Sequence, residues 1–451
     1  MALWRSVGSV VILLAAAGTG AAQTYSLSEA PEAGDCFRVQ LQMKLSGEMR
    51  INRDGKTVPL KLAAAAAHEF RERILIVGKN GLPQKSARIY ESAKAEITVA
   101  DNRSERTLRP ERKLMVAQWH KDQFLCYSPA GSLTREELEL VGEHFDTLSV
   151  TGLLPAKDVA VGATWKVSNA AVQGLCGFDG LVAQDLVCKL EEVEANVARI
   201  SIKGTASGIA TGALAKLAIT ATARYNVTQK RLTAVEWQQK DERDQGPASP
   251  ATSVETTIIM KRTAIEEPTD LGDVALVSVP SGAESPPASF TQVYYCDPKQ
   301  RFDLAHGREW HLVGHTGEHT ILRLMNNGEF IAQVTITPWH PAKPGEHMSA
   351  KEFEEAMADT PGWEQEQVLQ SEEVPTEKGR WVYRISALGT LDDLKVMQNF
   401  YLVAGPGGEQ IVLAFTMKQA QAERLGARDL SLAGSIDFPA NRKQPEKSPE
   451  N

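Results

Sequence analysis

The chain has 451 residues, about three times the length of a typical single domain, so two or three domains are expected. Its 49 basic and 57 acidic residues give a net charge of −8, which argues against general nucleic-acid binding. Apolar residues make up 42% and charged residues 24%, as in ordinary globular proteins. Wholesale disorder and a polytopic membrane protein are therefore excluded as classes.

The first residues have the pattern of a secretory signal peptide. Arg5 is the only charge among the first 28 residues, and an apolar run follows over 7–17. Small residues then lead to Gly20 and Ala22, which suit the positions before a cleavage site. The alternative is an uncleaved anchor, but the run is too short to span a bilayer. The sequence predicts a signal peptide over 1–22, cleavage after Ala22, and export to the bacterial periplasm or beyond, with no transmembrane segment in the mature chain.

Export bears on how the cysteines are interpreted, because thiols pair in oxidising compartments. The chain has five cysteines, an odd number, so at least one stays free or pairs between chains. Cys176 and Cys188 are the closest two in sequence and are candidates for a disulfide. The alternative is two small buried thiols, and the sequence does not decide between them.

Composition divides the chain into two bodies. Residues 265–289 contain four prolines, five acidic residues and no Lys or Arg, which is typical of a disordered linker. Residues 441–451 are polar and are expected to form a disordered tail. Between them lie a first body, 24–264, with 32 basic and 29 acidic residues, and a second, 290–440, with 13 and 21. The acidic character therefore belongs to the linker and the second body.

The first body is predicted to be β-rich. Val39, Leu41, Met43 and Leu45 alternate with polar residues, which indicates a strand with one covered face. The alanine run over 63–67 is interpreted as part of a strand, because it lies between two strand patterns. A single helix interrupts the sheet. Its start is marked by Thr134 and Glu137, which form a capping-box pair.

The second body is predicted to be α+β, an antiparallel sheet with packed helices. Ser349 and Glu352 mark the capping box of one helix, and a final helix is expected from Gln419 to about Leu432. Between them, strand patterns flank a turn over 405–408, which predicts a hairpin.

Two resemblances follow from these patterns. The FDLAHGREWHLV segment, the SAKEFEEAM helix and the NFYLVAGPGGEQIVLAFTM hairpin resemble the PsbP-like fold, over about a third of the chain. The first body resembles secreted bacterial domains of unknown function that carry an "LLP…V.VG..W" segment, here including Leu153, Gly162 and Trp165. That resemblance implies a curved antiparallel sheet or half-barrel of the LolA type, which holds lipid or lipoprotein in other proteins. Neither resemblance implies a catalytic residue.

Catalytic signatures are missing from the sequence. It contains no G-x-S-x-G, H-E-x-x-H or G-x-G-x-x-G motif, so no catalytic residue or cofactor site is assigned. The histidines are unevenly distributed, because six of the nine lie between His306 and His347. His311, His315 and His319 are candidate metal ligands, with His311 and His319 facing each other across a hairpin; the alternative is solvated turn histidines.

Two functional hypotheses remain. The first is a non-catalytic exported protein that binds an apolar ligand or an envelope partner on a concave sheet face. The alternative is a metal-dependent hydrolase or metal-binding protein that uses the histidine-rich 306–347 segment. The first predicts an uncovered apolar face, and the second predicts at least three donors within coordination reach.

Overall fold

The structure is a computed structural model that describes residues 23–439, apart from residues 54, 122, 143–144, 327 and 377–378. The predicted signal peptide, its cleavage site and the predicted tail lie outside the described residues. Within them, no helix is long and apolar enough to cross a membrane.

Most of the described chain forms antiparallel β-strands. The strands up to residue 265 are β1 (Thr24–Ser26), β2 (Cys36–Arg53), β3 (Lys56–Val77), β4 (Pro83–Val99), β5 (Asn102–Thr107), β6 (Leu114–His120), β7 (Gln123–Tyr127), β8 (Leu133–Thr134), β9 (Asp158–Ala160), β10 (Thr164–Lys166), β11 (Gly180–Gln184), β12 (Val187–Glu194), β13 (Val197–Ala210), β14 (Ala213–Asn226), β15 (Arg231–Arg243) and β16 (Ala251–Ile265). The later strands are β17 (Val293–Cys296), β18 (Asp303–His306), β19 (Trp310–His315), β20 (Thr320–Asn326), β21 (Glu329–Pro338), β22 (Trp363–Val374), β23 (Trp381–Leu391), β24 (Leu394–Ala404) and β25 (Gln410–Met417).

The helices are short, and the last two follow the final strand. They are α1 (Arg135–Gly142), α2 (Asn169–Cys176), α3 (Ala288–Thr291), α4 (Ala350–Ala358), α5 (Ala422–Leu425) and α6 (Arg428–Ser435). Four 3-10 turns add Pro110–Arg112, Thr147–Leu153, Thr269–Leu271 and Gln419–Gln421.

A 13-stranded sheet dominates the first half of the chain. Its strands follow the order β10-β12-β13-β14-β15-β16-β2-β3-β4-β6-β7, with β11 added to β13 and β5 added to β4. The alanine run lies inside β3 and pairs with β2 and β4, so the strand interpretation of 63–67 is confirmed. Alanine fits there because the pairing partners, not its propensity, fix the extended backbone.

One face of this sheet, called the inner face, is covered in part by residues 133–142 and 145–176, which we call the covering segment. Leu138, Leu148 and Val150 from that segment are buried in the same core as Phe37 and Trp237. The capping box between Thr134 and Glu137 is present, and α1 starts where the sequence predicts. The prediction of a single helix is wrong, because α2 follows with Ser168 as its N-cap.

The LLP…W segment has a structural role here. The indole Nε1 of Trp165 donates a hydrogen bond to the carbonyl oxygen of Leu153 at 2.9 Å. The backbone of Gly162 has a φ of 86°, which glycine adopts without strain, and its N–H donates to Leu190. The motif therefore fastens the loop before β10 to the covering segment.

A seven-stranded antiparallel sheet forms the second half, in the order β19-β20-β21-β25-β24-β23-β22. Phe353 of α4 packs on one face, and Leu432 of α6 packs on the other. The capping box of Ser349 and Glu352 and the β24–β25 hairpin are confirmed. The single final helix is wrong: Gly426, with a φ of 61°, separates α5 from α6.

The two large sheets contact each other. β17 pairs in parallel with β8 and antiparallel with β18, in a three-stranded sheet. Arg308 donates to the carbonyl oxygens of Cys126 at 2.6 Å and Thr291 at 2.8 Å. The division into two domains stays a prediction.

Residues 266–289, most of the segment predicted as a linker, lie against the outer face of β3, β4 and β6. Leu271 and Leu276 are buried there, beside Ala87. The ammonium group of Lys85, which is fully buried, donates to the carbonyl oxygens of Pro280 and Gly282. The composition of this segment predicted a disordered linker, whereas these contacts hold the segment against the sheet.

Candidate functional site

The inner face of the large sheet continues beyond its packed core as a surface that we call the distal apolar face. Its residues are partly exposed, and none packs against the hydrophobic clusters found among the described residues. They are Leu45, Met49 and Ile51 of β2, Val58, Leu60, Leu62 and Ala64 of β3, and Ile97 and Val99 of β4.

Strand register brings these residues into one patch. Leu45 lies opposite Ala64, and Ala64 lies opposite Ile97. In the next rows, Leu62 lies opposite Val99, and Met49 lies opposite Leu60. Directly opposite residues in antiparallel strands point to the same face with Cβ atoms about 5 Å apart. The distal apolar face is therefore continuous across three neighbouring strands.

The covering segment contacts the sheet beside this region. There, Glu139 of α1 forms an ion pair with Arg106 of β5. Closer to the core, Phe145 contacts the ring of Trp237 edge-on, with ring centroids 5.8 Å apart. The long strands extend past these contacts, and their inner side chains there are partly exposed.

The outer face of the same strands is polar. Lys44, Lys61 and Lys94 are exposed and alternate with apolar residues of the inner face. A shallow groove of about 400 Å³ lies between Lys44 and Lys94, over Ala65 and Ala67. The strands therefore present one charged face and one apolar face, as an amphipathic sheet does when its apolar side meets another surface.

A polar pair borders the distal apolar face. Asp241 and Arg243 are on β15, and their nearest charged atoms are 3.5 Å apart. Asp241 is only 8% exposed, and burial raises the pKa of its carboxyl group against the opposing effect of Arg243. Burial also raises the pKa of Asp179, on which Arg243 acts in the same way. Strand register places the pair on the inner face, two strands from Gly47 and Met49 of β2.

A second polar cluster lies deeper. The Nε atom of Arg88 donates to Glu72 at 2.7 Å, and its Nη2 atom donates to Thr147 at 2.9 Å. Asp146 accepts hydrogen bonds from Trp119 and Ser149, and burial raises its pKa. These bonds tie the sheet to the Thr147–Leu153 turn.

The three candidate metal ligands are distributed along one hairpin. His311 lies opposite Arg323 rather than His319, because the last pair before the turn is His315 with Thr320 and His319 lies in the turn itself. The Nδ1 atom of His315 is 3.2 Å from the Tyr295 hydroxyl, and that of His319 is 3.0 Å from the Thr337 hydroxyl. Within the described ranges, no group of three or more His, Cys, Asp or Glu residues is arranged to hold a metal ion. The metal site stays a prediction from sequence.

All five cysteines are free thiols in the structure, including Cys176 and Cys188. Cys188 belongs to the main core, and Cys176 packs against it. Burial raises the pKa of each of these two thiols to about 12, so both are protonated and unreactive at neutral pH. The structure holds both residues as free thiols, and a disulfide between them stays a prediction from sequence.

The residues of the distal apolar face were missed by sequence reasoning beyond Leu45. Their signal is present, because Val58, Leu60 and Leu62 alternate with polar residues just as Val39 and Leu41 do. Asp241 stands in a run of balanced charge over 240–244, which is typical of a solvated loop end, whereas its side chain lies on the inner face.

No protein-family model matches the chain, and no curated protein matches it. Solved structures give weak resemblances of fold only. A cyanobacterial PsbP from Synechocystis is 12% identical, with 34% of this chain and 97% of that chain covered and a TM-score of 0.26. A DUF1329 family protein from Desulfovibrio piger is 12% identical over 54% of this chain and 92% of that chain, with a TM-score of 0.13. A structure of lipovitellin is 6% identical, covers 53% of this chain and 26% of that chain, and has a TM-score of 0.28. None of these similarities indicates a catalytic or binding function.

Proposed function

We propose that this chain is an exported, non-catalytic protein that binds the acyl chain of a lipid on the distal apolar face. The observation that supports the proposal is the set of nine partly exposed apolar residues that lie outside the hydrophobic clusters of the described residues. Removing apolar surface from water stabilises a complex by about 25 cal/mol per Å². A ligand that spans several of these residues gains free energy from the apolar surface that they still expose.

The open sheet supports an apolar ligand over a catalytic role. The strand order is linear, so β10 and β7 remain at the two ends of the path. Titratable residues border the face on two sides: Arg106 with its partner Glu139 beside β4, and Asp241 with Arg243 two strands from β2. The face itself offers surface but no acid, base or nucleophile.

The test uses two neighbouring positions of β3 that point in opposite directions. Leu60→Asp places a carboxylate on the distal apolar face, and Lys61→Asp places one on the outer face. Binding of a fluorescently labelled fatty acid to the full chain is titrated for both. Leu60→Asp is expected to weaken binding at least tenfold, because a charge in the contact must be desolvated. Lys61→Asp is expected to stay within about twofold.

Both positions are exposed enough that the fold is expected to survive, which thermal unfolding verifies. Equal affinities for the two variants would contradict the proposal. Absence of saturable fatty-acid binding to the unmodified protein would also contradict it.

A further inference from the structure

A strip of polar side chains on β5 borders the distal apolar face. It consists of Asn102, Ser104 and Arg106, which point to the inner face because they alternate with outward-pointing residues of the strand. Ser104 lies opposite Ile97 of β4, and Arg106 lies opposite Ala95. In the part of the chain that the structure describes, β5 pairs with β4 alone, so the inner face ends at this strip.

Arg106 lies where the covered part of the inner face meets the distal apolar face. Ala95 and Met43, in the same row across the strands, are buried. Ile97 and Leu45, in the next row, are partly exposed. The Arg106 side chain itself is 25% exposed. Arg106 is therefore a cation with solvent access at the border of the distal apolar face.

One side of the Arg106 guanidinium group has no partner among the described residues. Its Nη1 atom donates to Glu139 of α1, whose other carboxylate oxygen accepts from Nε of Arg135. The Nε and Nη2 atoms of Arg106 donate to no described residue, and both have solvent access. Arg109 uses the same two atoms to hold both oxygens of Glu137, at 2.7 Å each. The free side of Arg106 therefore has the geometry that binds a carboxylate or a phosphate.

Local charge also favours an anion at this position. Glu139 accepts from Arg106 and Arg135 together, so two guanidinium groups stand against one carboxylate and the three side chains carry a net charge of +1. The other inward-pointing residues of β5, Asn102 and Ser104, are uncharged. A bound group with one negative charge would balance the three side chains without displacing Glu139.

The distance across the face suits an acyl chain. The row that starts at Ser104 runs through Ile97 and Ala64 to Leu45. It crosses four neighbouring strands, which span about 14 Å. The hydrocarbon core of a bilayer is about 30 Å thick, so an acyl chain of one leaflet spans about 15 Å. A chain whose head group lies at β5 would therefore reach β2.

We propose, on the basis of the lipid-binding function above, that the ligand carries an anionic head group, which accepts hydrogen bonds from Nε and Nη2 of Arg106. Its acyl chain lies on the distal apolar face and extends from β5 toward β2. The carboxylate of a free fatty acid and the phosphodiester of an anionic phospholipid share this chemistry. At the end of the sheet the remaining head-group atoms stay in water, so the charge is bound without complete desolvation.

The experiment compares ligands with identical acyl chains and different head groups. A fatty acid is paired with the corresponding fatty alcohol, which is neutral, and phosphatidylglycerol is paired with phosphatidylcholine, which is zwitterionic. Calorimetric titration of the full chain measures the four dissociation constants. The anionic member of at least one pair is expected to bind about tenfold more tightly, the gain of a charge-assisted hydrogen bond. The pair with the larger ratio identifies the source of the anion.

Substitutions then assign the preference to Arg106. Arg106→Gln is expected to reduce it to within about twofold, because the paired donors and the charge are lost. Arg103→Gln is the matched control and is expected to keep it, because Arg103 lies opposite Thr98, points to the outer face and pairs with Glu96 at 2.8 Å. Glu139→Gln removes the competing carboxylate and is expected to tighten binding of the anionic ligand by about two- to fivefold.

The outcomes separate head-group recognition from acyl-chain binding. Equal affinities within both pairs, or a preference that survives in Arg106→Gln, would overturn head-group recognition and leave acyl-chain binding intact. Failure of the unmodified protein to bind either the fatty acid or the alcohol would overturn lipid binding itself. If Arg106→Gln does not fold, Glu139→Gln decides, and an unchanged affinity for the anionic ligand would overturn the role of Arg106.

Discussion

Three histidines with even spacing in the sequence have three different surroundings in the structure. His311 is half-buried opposite Arg323, while His315 and His319 are exposed and contact hydroxyl groups. The spacing could not predict this, because it does not fix the position of the turn. The last pair is His315 with Thr320, so His319 lies in the turn and His311 pairs with Arg323.

His311 gives a pH prediction. Burial lowers its pKa from 6.5 to about 4, and the positive charge of nearby Arg135 acts in the same direction, as does His306. The unfolded chain therefore binds a proton near pH 6.5, whereas the folded protein binds it only near pH 4. The folded state is expected to lose about 2 kcal/mol of stability as pH falls from 6.5 to 4.

Urea unfolding of the full chain at pH 7 and pH 4.5 measures this loss. His311→Gln is expected to reduce the difference between the two pH values by most of that amount. His340→Gln, at an exposed position, is the control and is expected to leave the difference unchanged. An unaltered pH dependence in His311→Gln would show that other groups cause the acid sensitivity.

Asp241 shows how burial can be hidden from sequence. The run from Lys240 to Asp244 has balanced charge and is typical of a solvated loop end. In the structure the run extends β15, which alternates its side chains between the two faces. Lys240 and Glu242 consequently point outward, while Asp241 and Arg243 point inward. The alternation of side chains between the two faces at every second residue would have identified Asp241 and Arg243 as inward-pointing.

At the scale of elements, local signals predicted the starts of helices well. The capping boxes at Thr134 and Ser349 each join residues three positions apart. They depend only on the local sequence, so they can be recognised from it. The final helix was less predictable. Gly426 was included in one helical run, but its positive φ ends α5 and redirects the chain into α6.

The contacts of the 266–289 segment, unlike the capping boxes, could not be predicted from its own sequence. Its partners Arg73, Lys85 and Gln118 are more than 160 residues away in the sequence. They donate to backbone carbonyls of the segment, and every sequence offers such carbonyls. Composition alone therefore could not indicate that the sheet would hold this segment.

Leu271 is the buried anchor of the segment and is fully covered. Leu271→Ala is expected to leave a cavity against Ala87 and to raise hydrogen exchange across 266–289 at least tenfold, because local opening becomes easier by about 2–3 kcal/mol. Hydrogen-exchange mass spectrometry measures the change. Val274→Ala is the control, since Val274 is 91% exposed. Unchanged exchange in Leu271→Ala would mean that the hydrogen bonds, not the leucine, hold the segment.

At the scale of the whole molecule, two sheets with separate cores are joined by a small number of contacts. Arg308 reaches from the loop after β18 to the carbonyl of Cys126 in β7, which is the terminal strand of the large sheet. Arg323 of β20 donates to the carbonyl of Pro247. These arginines bind backbone atoms, so they fix position without requiring a matching side chain. The contact between the halves was not predicted from sequence.

Arg308→Ala is expected to weaken this connection. Because a charged donor to two carbonyl oxygens is lost, the two halves are expected to unfold less cooperatively, and the temperatures of their calorimetric transitions should move apart by several degrees. Arg424→Ala is the matched control, because Arg424 pairs with Glu329 on the surface of the second sheet alone. A single unaltered transition in Arg308→Ala would show that β8–β17 pairing suffices to couple the halves.

The pairing of β16 with β2 has a consequence for how the chain folds. These strands share 15 paired positions, from Ala251 opposite Arg50 to Ile265 opposite Cys36, yet they are about 200 residues apart in the sequence. The β13–β16 meander and the β2–β4 meander can each form locally, but their junction requires closure of a very long loop. Such distant contacts slow folding. During synthesis, the β2 edge stays unpaired until residue 265 has emerged, and an unpaired edge is the place where strands of other chains add. This protein is therefore expected to depend on protection of that edge while it is being made.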